Sequence, residues 1–461
     1  MIKPYFLLVP LLILSSCRKS KDVDDTALLL LNARIINVLD GSISDNQSIL
    51  IQDGKIESIG AYKDLKGFAV KQNHVDIENR FVIPGLWDSH VHIDQLSDDF
   101  NHSKQMLSLY TLNGITSIRE MGGDWTRIKK LKQVASESHF LPTVFSAGPI
   151  FENKAFVDWV VEQDNDIAFG KQRISVSKPE EVPSLIDSVI NLGVDFIKVR
   201  TAASPEVFFE IAKQCRKYGV KFCGHVDAKI DLYEAVNAGI SSLEHIDIFQ
   251  LTGMNESKMD SIVSLMKSIN TYYCPTLTYF KQHRIYDKEK INAFLDDSTY
   301  ATYPQRAYAS KSLLDKSKQA IGWAQESQVP WKKLEPNFLK FAKKLNENNV
   351  SVLAGTDGAN ALVLPGFSLH EELALYSSEL EMENLSILQS ATINPARYFG
   401  LENLGLVKKG FTADLVVLDK NPLKAIDHMQ SIYAVVKTGN LINQKEIKER
   451  LISIQEYNRH E

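Results

Sequence analysis

The stretch VIPGLWDSHVHI, Val82–Ile93, places two histidines one residue apart at the end of an apolar run. Alternate side chains of an extended chain share a face, so Asp88, His90 and His92 point the same way. A strand that buries valine and isoleucine has no use for imidazoles on that face unless it meets water or ligates something.

Working outward, seven further short apolar runs follow: Gly114–Arg119, Thr143–Ser146, Phe196–Val199, Lys221–His225, Ser242–His245, Tyr273–Thr276 and Ser351–Asp357. With Val82-Ile83 they make eight strand candidates. Helical stretches lie between them, such as Pro205–Tyr218, with Gly219 as the expected C-cap. Eight βα units over about 320 residues predict an α/β fold, a (β/α)8 TIM-type barrel with insertions.

The chain ends read differently. Ala27–Val38 and Ser48–Ile59 look like strands with a hairpin signal at Asp53-Gly54, and Ala413–Asp419 and Ile432–Gly439 look like strands again. Neither end alone has enough strands for a stable sheet, so the two are expected to join in one small β-sandwich. The expected boundaries are 28–80 plus 403–445 for the sandwich, 81–402 for the barrel and 446–461 for a C-terminal helix. Two long connections, about 149–180 and 280–345, follow strands and are expected to wall or cover the barrel's open face.

Composition restricts the function. The chain has 461 residues, 44% hydrophobic and 24% charged, with a net charge of -5 and no dense Lys/Arg patch. That is ordinary globular composition without a field for nucleic acid, which leaves a small molecule or short peptide as the expected partner. Lys3, the apolar run Tyr5–Leu14 and Leu14-Ser-Ser-Cys17 suit an export signal too short to span a bilayer. The segment resembles a bacterial lipobox. That resemblance implies cleavage before Cys17, a signal over 1–16, a tether over 17–27, lipidation of the Cys17 sulfur, and an exported protein whose membrane contact is the lipid alone. The other cysteines, Cys215, Cys223 and Cys274, indicate no disulfide framework.

Polar residues gather at the C-terminal ends of the strand candidates: His90 and His92 on the first, Lys198 on the fourth, His225 on the fifth, His245 on the sixth and Asp357 on the eighth. Barrel strands are buried on both faces, and that end hosts barrel active sites. Imidazole and carboxylate suit zinc and related divalent ions, and four histidines with an aspartate exceed the three protein ligands usual for one catalytic zinc. The surplus suggests two metals. A buried, deprotonated Lys198 could react with CO2 to give a carbamate able to bridge them.

PGLWDSHVH (84–92), FIKV (196–199), GHV (224–226), LEH (243–245), AGTDG (354–358), ATINPARYFGL (391–401) and GLVKKGFTADLVVLDKNPL (405–423) together resemble the amidohydrolase superfamily, and within it the imidazolonepropionase-related and Xaa-Pro dipeptidase-like group. The resemblance implies that His90, His92 and Asp357 hold one divalent ion, zinc being typical of such ligands, and that His225 and His245 hold a second. A CO2-derived carbamate on Lys198 would bridge the pair with a hydroxide, and Asp357 would carry the proton to the leaving group. The reaction implied is hydrolysis of an amide or peptide C–N bond. The chain departs from relatives at Ile118-Arg-Glu-Met-Gly122 and at Ser146-Ala-Gly-Pro-Ile150, which bears on substrate and not on metal. Arg119, Tyr273 and Arg200 are pocket candidates, and His370 is either a substrate contact or a solvated residue in a helix opened by a Ser368–Glu371 capping box. Two other readings remain: a mononuclear deaminase or cyclic amidohydrolase of the same fold, and a non-catalytic ligand-binding lipoprotein.

Overall fold

A computed structural model describes residues 25–460 apart from 164–169, 171, 285–286 and 327–328. The expected signal, Cys17 and most of the tether lie outside the described residues.

Strands β1 (Leu28–Ile36), β2 (Ile43–Gln52), β3 (Lys55–Gly60), β4 (His74–Asp76) and β5 (Phe81–Pro84) come from the N-terminal end. They share one eight-stranded sheet with β15 (Leu415–Leu418), β16 (Ile432–Lys437) and β17 (Asn440–Ile442), in the order β17-β16-β15-β5-β1-β2-β3 with β4 beside β1. The hairpin signal at Asp53-Gly54 is met: both residues take positive φ, 51° and 73°, between antiparallel β2 and β3. The sheet curls so that Lys55 bridges Thr412, beside β15. It encloses its own apolar cluster, with Leu30, Ile49, Val82, Leu415 and Val436. Val82-Ile83, read above as the first barrel strand, belongs to β5 and pairs with β15. The apolar signal is genuine, but Gly85 separates this strand from the next, β6 (Leu86–Val91), which carries the histidines.

The parallel strands are β6, β7 (Ile115–Glu120), β8 (Thr143–Ser146), β9 (Ile150–Asn153), β10 (Arg173–Val176), β11 (Ile197–Val199), β12 (Phe222–Gly224), β13 (Ser242–Glu244) and β14 (Tyr272–Cys274). They form a sheet β6-β7-β8 and a sheet β10-β9-β11-β12-β13-β14. Two segments link these sheets. β8 and β9 are almost continuous: Asp195 N, just ahead of β11, donates to Ser146 O, and Arg200 N donates to Phe151 O. On the other side, Leu353 N donates to Tyr273 O and Ser89 N to Ala354 O, so residues 351–354 lie between β14 and β6. The connection expected at 149–180 is therefore not a plain loop, since it contributes β9, the helix Lys154–Gln163 and β10. Each added strand is only four residues long, too short for its alternation to stand out from irregular sequence.

Helices cover the outer faces. Pro205–Tyr218 starts at Ser204, whose side chain accepts from Val207 N, and ends on Gly219 at φ 66°, as expected. The 280–345 segment supplies several helices, ending with Trp331–Glu347, which buries Phe338, Phe341 and Leu345. The chain closes with the helix Gln444–His460. Under the parallel strands, Trp87 stacks on Phe145 and Phe399, with centroids 5.1 and 5.9 Å apart, which packs the end of the interior away from the histidines.

A buried ion pair of the eight-stranded sheet also reaches the parallel strands. Lys437 Nζ lies 2.8 Å from Asp414 Oδ2, with side chains 5% and 4% exposed, and also donates to Thr143 Oγ1 on β8. Lys437→Met leaves the Asp414 carboxylate buried without its cation and is expected to cost about 3–5 kcal/mol, read as a lower denaturant midpoint. The pair of changes Lys437→Met with Asp414→Leu is expected to regain most of that loss.

Candidate metal centre and substrate cleft

The strand ends open on a cleft of about 540 Å³. His90, His92, Lys198, His225, His245 and Asp357 all line it. The distant runs of sequence thus converge on one place. Ligand atoms of His90, His92 and Asp357 fit within 4.8 Å of one another. His90 Nε2 lies 3.5 Å and His92 Nε2 3.3 Å from Asp357 Oδ1. The rings of His90 and His245 are 4.7 Å apart, and those of His225 and His245 4.6 Å apart.

Backbone geometry places these groups. Asp88, on the face of His90, accepts from Thr356 N at 3.0 Å and from Thr356 Oγ1 at 2.7 Å, and Asp357 N donates to His90 O. Asp88 therefore holds the segment carrying Asp357 against β6. Asp357 and His245 adopt φ of 63° and 69°, a left-handed conformation costly for residues with a Cβ. At His245 this turn breaks strand alternation, so that Glu244 and His245, though consecutive, both face the cleft. Gly224 has φ 142°, and an added Cβ there would overlap the Val199 carbonyl, so the close pairing of β11 and β12 that sets Lys198 beside His225 needs glycine.

Each of three histidines has its Nδ1 engaged behind the site. His90 Nδ1 lies 2.8 Å from Glu244 Oε2 and His92 Nδ1 2.9 Å from Gly122 O. Carboxylate and carbonyl oxygens only accept, so Nδ1 carries the proton and Nε2 presents its lone pair to the cleft. His245 Nδ1 pairs with Thr276 Oγ1 at 2.7 Å. Burial, then the charge of Lys198, pushes His90 down to about 4; burial, then His90, pushes His245 down to about 3. Burial and Lys198 likewise hold His225 well below its ordinary value. All three are neutral at neutral pH, the form that ligates a metal. Burial opposes a charge on His92, but the facing Asp357 carboxylate outweighs it and raises that residue.

Within this cluster of six, two buried atoms lack a hydrogen-bond partner among the described residues: Lys198 Nζ and Asp357 Oδ1. Burial lowers Lys198 towards the neutral amine. Such orphans are costly unless something else occupies the space between them. The donor set, neutral imidazoles with an ionised carboxylate, fits a divalent cation.

Arg119 is fully buried beneath the cleft instead of lining it. Its guanidinium makes two bonds to Glu244, at 2.9 and 2.8 Å, and donates to Ser89 O and Ser242 Oγ. Burial alone would raise Glu244, yet Arg119 and then His90 hold it far below the usual carboxylate range. Glu244 was missed as a site residue; an acid at an inward position of a buried strand, directly before a histidine, was the available signal. Tyr273 is a core residue, fully buried against Phe341 with its backbone in the sheet. His370 is buried and bonded to Asn113 O at 3.1 Å, away from the cleft. Its helix, Phe367–Ser378, begins at Gly366 without a side-chain cap, and Ser368 Oγ instead accepts from Leu364 N. The capping box fails because the chain is already helical at Ser368. Arg200 does line the cleft, as do Arg173, Arg284, Tyr279 and Phe249. Cys215, Cys223 and Cys274 are free and buried.

The amidohydrolase family model matches residues 81–442. Ochratoxinase of Aspergillus niger is 21% identical over 457 residues, covering 89% of this chain and 85% of that protein, and its crystal structure superposes with a TM-score of 0.66, 20% identity and coverage of 91% and 96%. Imidazolonepropionase of Clostridium tetani is 23% identical, covering 88% of this chain and 92% of its own length. A Xaa-Pro dipeptidase with bound methionine superposes with a TM-score of 0.65 and 20% identity, over 90% of this chain and all of that one. Such neighbours imply a TIM-type barrel with a second domain.

Removing the brace behind His90 tests the geometry of the centre. Glu244→Gln is expected to weaken zinc binding about 10–100-fold, measured by competition against a chromophoric chelator, with the far-ultraviolet circular dichroism unchanged.

Proposed function

The chain belongs to the amidohydrolase family, whose members hydrolyse carbon–nitrogen bonds. We propose that it is a metal-dependent hydrolase of an amide or peptide bond with a binuclear centre. His90, His92 and Asp357 would hold one divalent ion, zinc by the chemistry of the donors, and His225 and His245 the other, with Lys198 as a bridging carbamate. The observation that carries this reading is the Lys198 amine, buried without a hydrogen-bond partner among the described residues and surrounded by ligand-type side chains. A neutral amine is the form that adds CO2, and the resulting anion would match the surrounding cations. The barrel is read as closing through residues 351–358, with 28–80 and 403–445 as a separate composite domain and β5 transferred to it.

Bound divalent ions supply an acidic water and a Lewis acid for the scissile carbonyl. The protein supplies the rest. Nδ1 contacts to Glu244, Gly122 and Thr276 fix three imidazoles so that the same ring edge always faces the cleft. The Asp357 carboxylate, beside His90 and His92, would take the proton of the attacking water and pass it to the leaving nitrogen. Cleft walls of arginine and aromatic side chains orient the substrate and thin the water around it.

Metal analysis of the purified protein is expected to find two divalent ions per chain. Lys198→Ala should lose at least one of them and, like Asp357→Asn, several orders of magnitude in rate on dipeptide or N-acyl amino acid libraries. One ion per chain in the wild type, with activity indifferent to Lys198→Ala, would favour the mononuclear reading instead.

We also propose export and lipidation at Cys17, from the lipobox-like sequence alone. Mass spectrometry of the membrane fraction is expected to find an N-terminus at Cys17 carrying the diacylglycerol mass, and Cys17→Ser should release the protein into the soluble fraction.

A further inference from the structure

Just beyond β8, β9 carries Glu152, whose side chain is wholly buried. Arg200 Nη1 and Thr201 Oγ1 both donate to its carboxylate, and Arg173 Nε lies 3.9 Å from it. The two arginines and Thr201 line the cleft beside His225, while Glu152 sits behind them. Asp94 faces Arg173 from the other side, and Lys316 faces Asp94. Asp98 also faces Lys316, and Glu120 faces Asp94, so carboxylates and cations interleave along this wall. Asp227, also on the cleft, has its carboxylate turned to the backbone of Lys229.

Arg200 is the member of the group best placed to meet a ligand. It is about one-third exposed, its guanidinium lies over the Phe156 ring at 4.7 Å, and it gives one nitrogen to Glu152. Among the described residues no protein group accepts from its Nε or Nη2. That free edge is the fork that binds a carboxylate through two parallel bonds. Arg284, on another part of the wall, gives its Nε to Asp247. One part of the cleft wall is apolar: Ile248 and Phe249 line it, and the Phe249 ring, 46% exposed, rests against Trp331 at 5.2 Å.

We propose that Arg200, set by Glu152 and Phe156, binds a free carboxylate on the substrate, and that Ile248 and Phe249 take an apolar group across the scissile bond. The preferred substrates are then apolar dipeptides and N-acyl amino acids with an unblocked carboxylate. This rests on the hydrolase reading above but is testable apart from it. Glu152 competes with the ligand for the same guanidinium, which fixes the sign of the two variants below.

The test measures binding of L-leucine and of L-leucinol, which lacks the carboxylate, to the metal-loaded protein by calorimetry. The wild type is expected to bind leucine about ten-fold or more tighter than leucinol, as one charge-assisted pair would give. Arg200→Met should abolish the preference, Arg200→Lys should retain part of it, and Glu152→Gln should increase it. A purely structural role would weaken leucine binding in both Arg200→Met and Glu152→Gln; that result overturns the proposal, as does equal binding of leucine and leucinol by the wild type. Melting temperatures identify any variant that fails to fold, and Arg200→Lys then carries the comparison. In turnover, Arg200→Met is expected to raise KM for free dipeptides with little change in kcat. A protein that cleaves dipeptides and their C-terminal amides equally well overturns the carboxylate site alone. One that binds leucine through Arg200 but cleaves no amide overturns the hydrolase reading alone.

Discussion

An amine buried among imidazoles, without a hydrogen-bond partner among the described residues, is costly, and much of the architecture around it answers that cost. Lys198 could relieve itself by an ion pair with Glu244, which faces the same cleft. It does not, because Arg119 has already claimed that carboxylate through a two-toothed contact. Arg119 is in turn fixed by Ser89 O and Ser242 Oγ, on strands flanking the site. A guanidinium stays charged when buried, so the pair cannot neutralise by proton transfer. Glu244 is thereby kept ionised, its second contact goes to His90, and Lys198, which burial lowers towards the neutral amine, is left beside three neutral imidazoles. The arrangement is poor for stability. It suits a cluster whose neutral imidazoles and carboxylate fit a divalent cation.

The same economy explains the nearly continuous segment made of β8 and β9. Its first half, β8, pairs with β7, and its second half, β9, pairs with β11, so that one segment spans the two parallel sheets. Because β9 is tied to the strand carrying Lys198, Glu152 and the arginines around it are positioned by the same ladder as the metal-site candidates. Groups that would recognise a substrate and groups that would act on it then share one rigid frame, and their separation does not depend on a mobile loop.

Much of the site was legible in the sequence because ionisable residues at the ends of apolar runs have few bland explanations. His90, His92, Lys198, His225, His245 and Asp357 each follow or end such a run, and all six meet in the cleft. What sequence reasoning could not reach were residues whose role depends on a contact across the barrel. Glu244 means nothing until His90 and Arg119, 154 and 125 positions away, are beside it. Tyr273 and His370 failed for the converse reason: both types suit a pocket, but the first lies inside the packed interior and the second bonds to the turn after a neighbouring helix. Strands β9 and β10 escaped because four residues carry too little periodicity. The first strand was misplaced by the length of one glycine turn, since VIP and LWDSHV are both apolar and only the pairing partners separate them.

The left-handed backbones at His245 and Asp357 connect these points. Each costs free energy that an ordinary strand end would not, and each swings a polar side chain into the cleft from a strand whose alternation would have sent it elsewhere. Thr276, the partner of His245 Nδ1, is also left-handed, at φ 49°. Three strained positions on neighbouring strand ends, all serving one cluster, are hard to account for as packing compromises. A sequence optimised for stability alone would place glycine or asparagine at such angles. Keeping histidine, threonine and aspartate there ties the strain to the chemistry of the side chains, the same conclusion to which the unpaired Lys198 amine leads from the electrostatics.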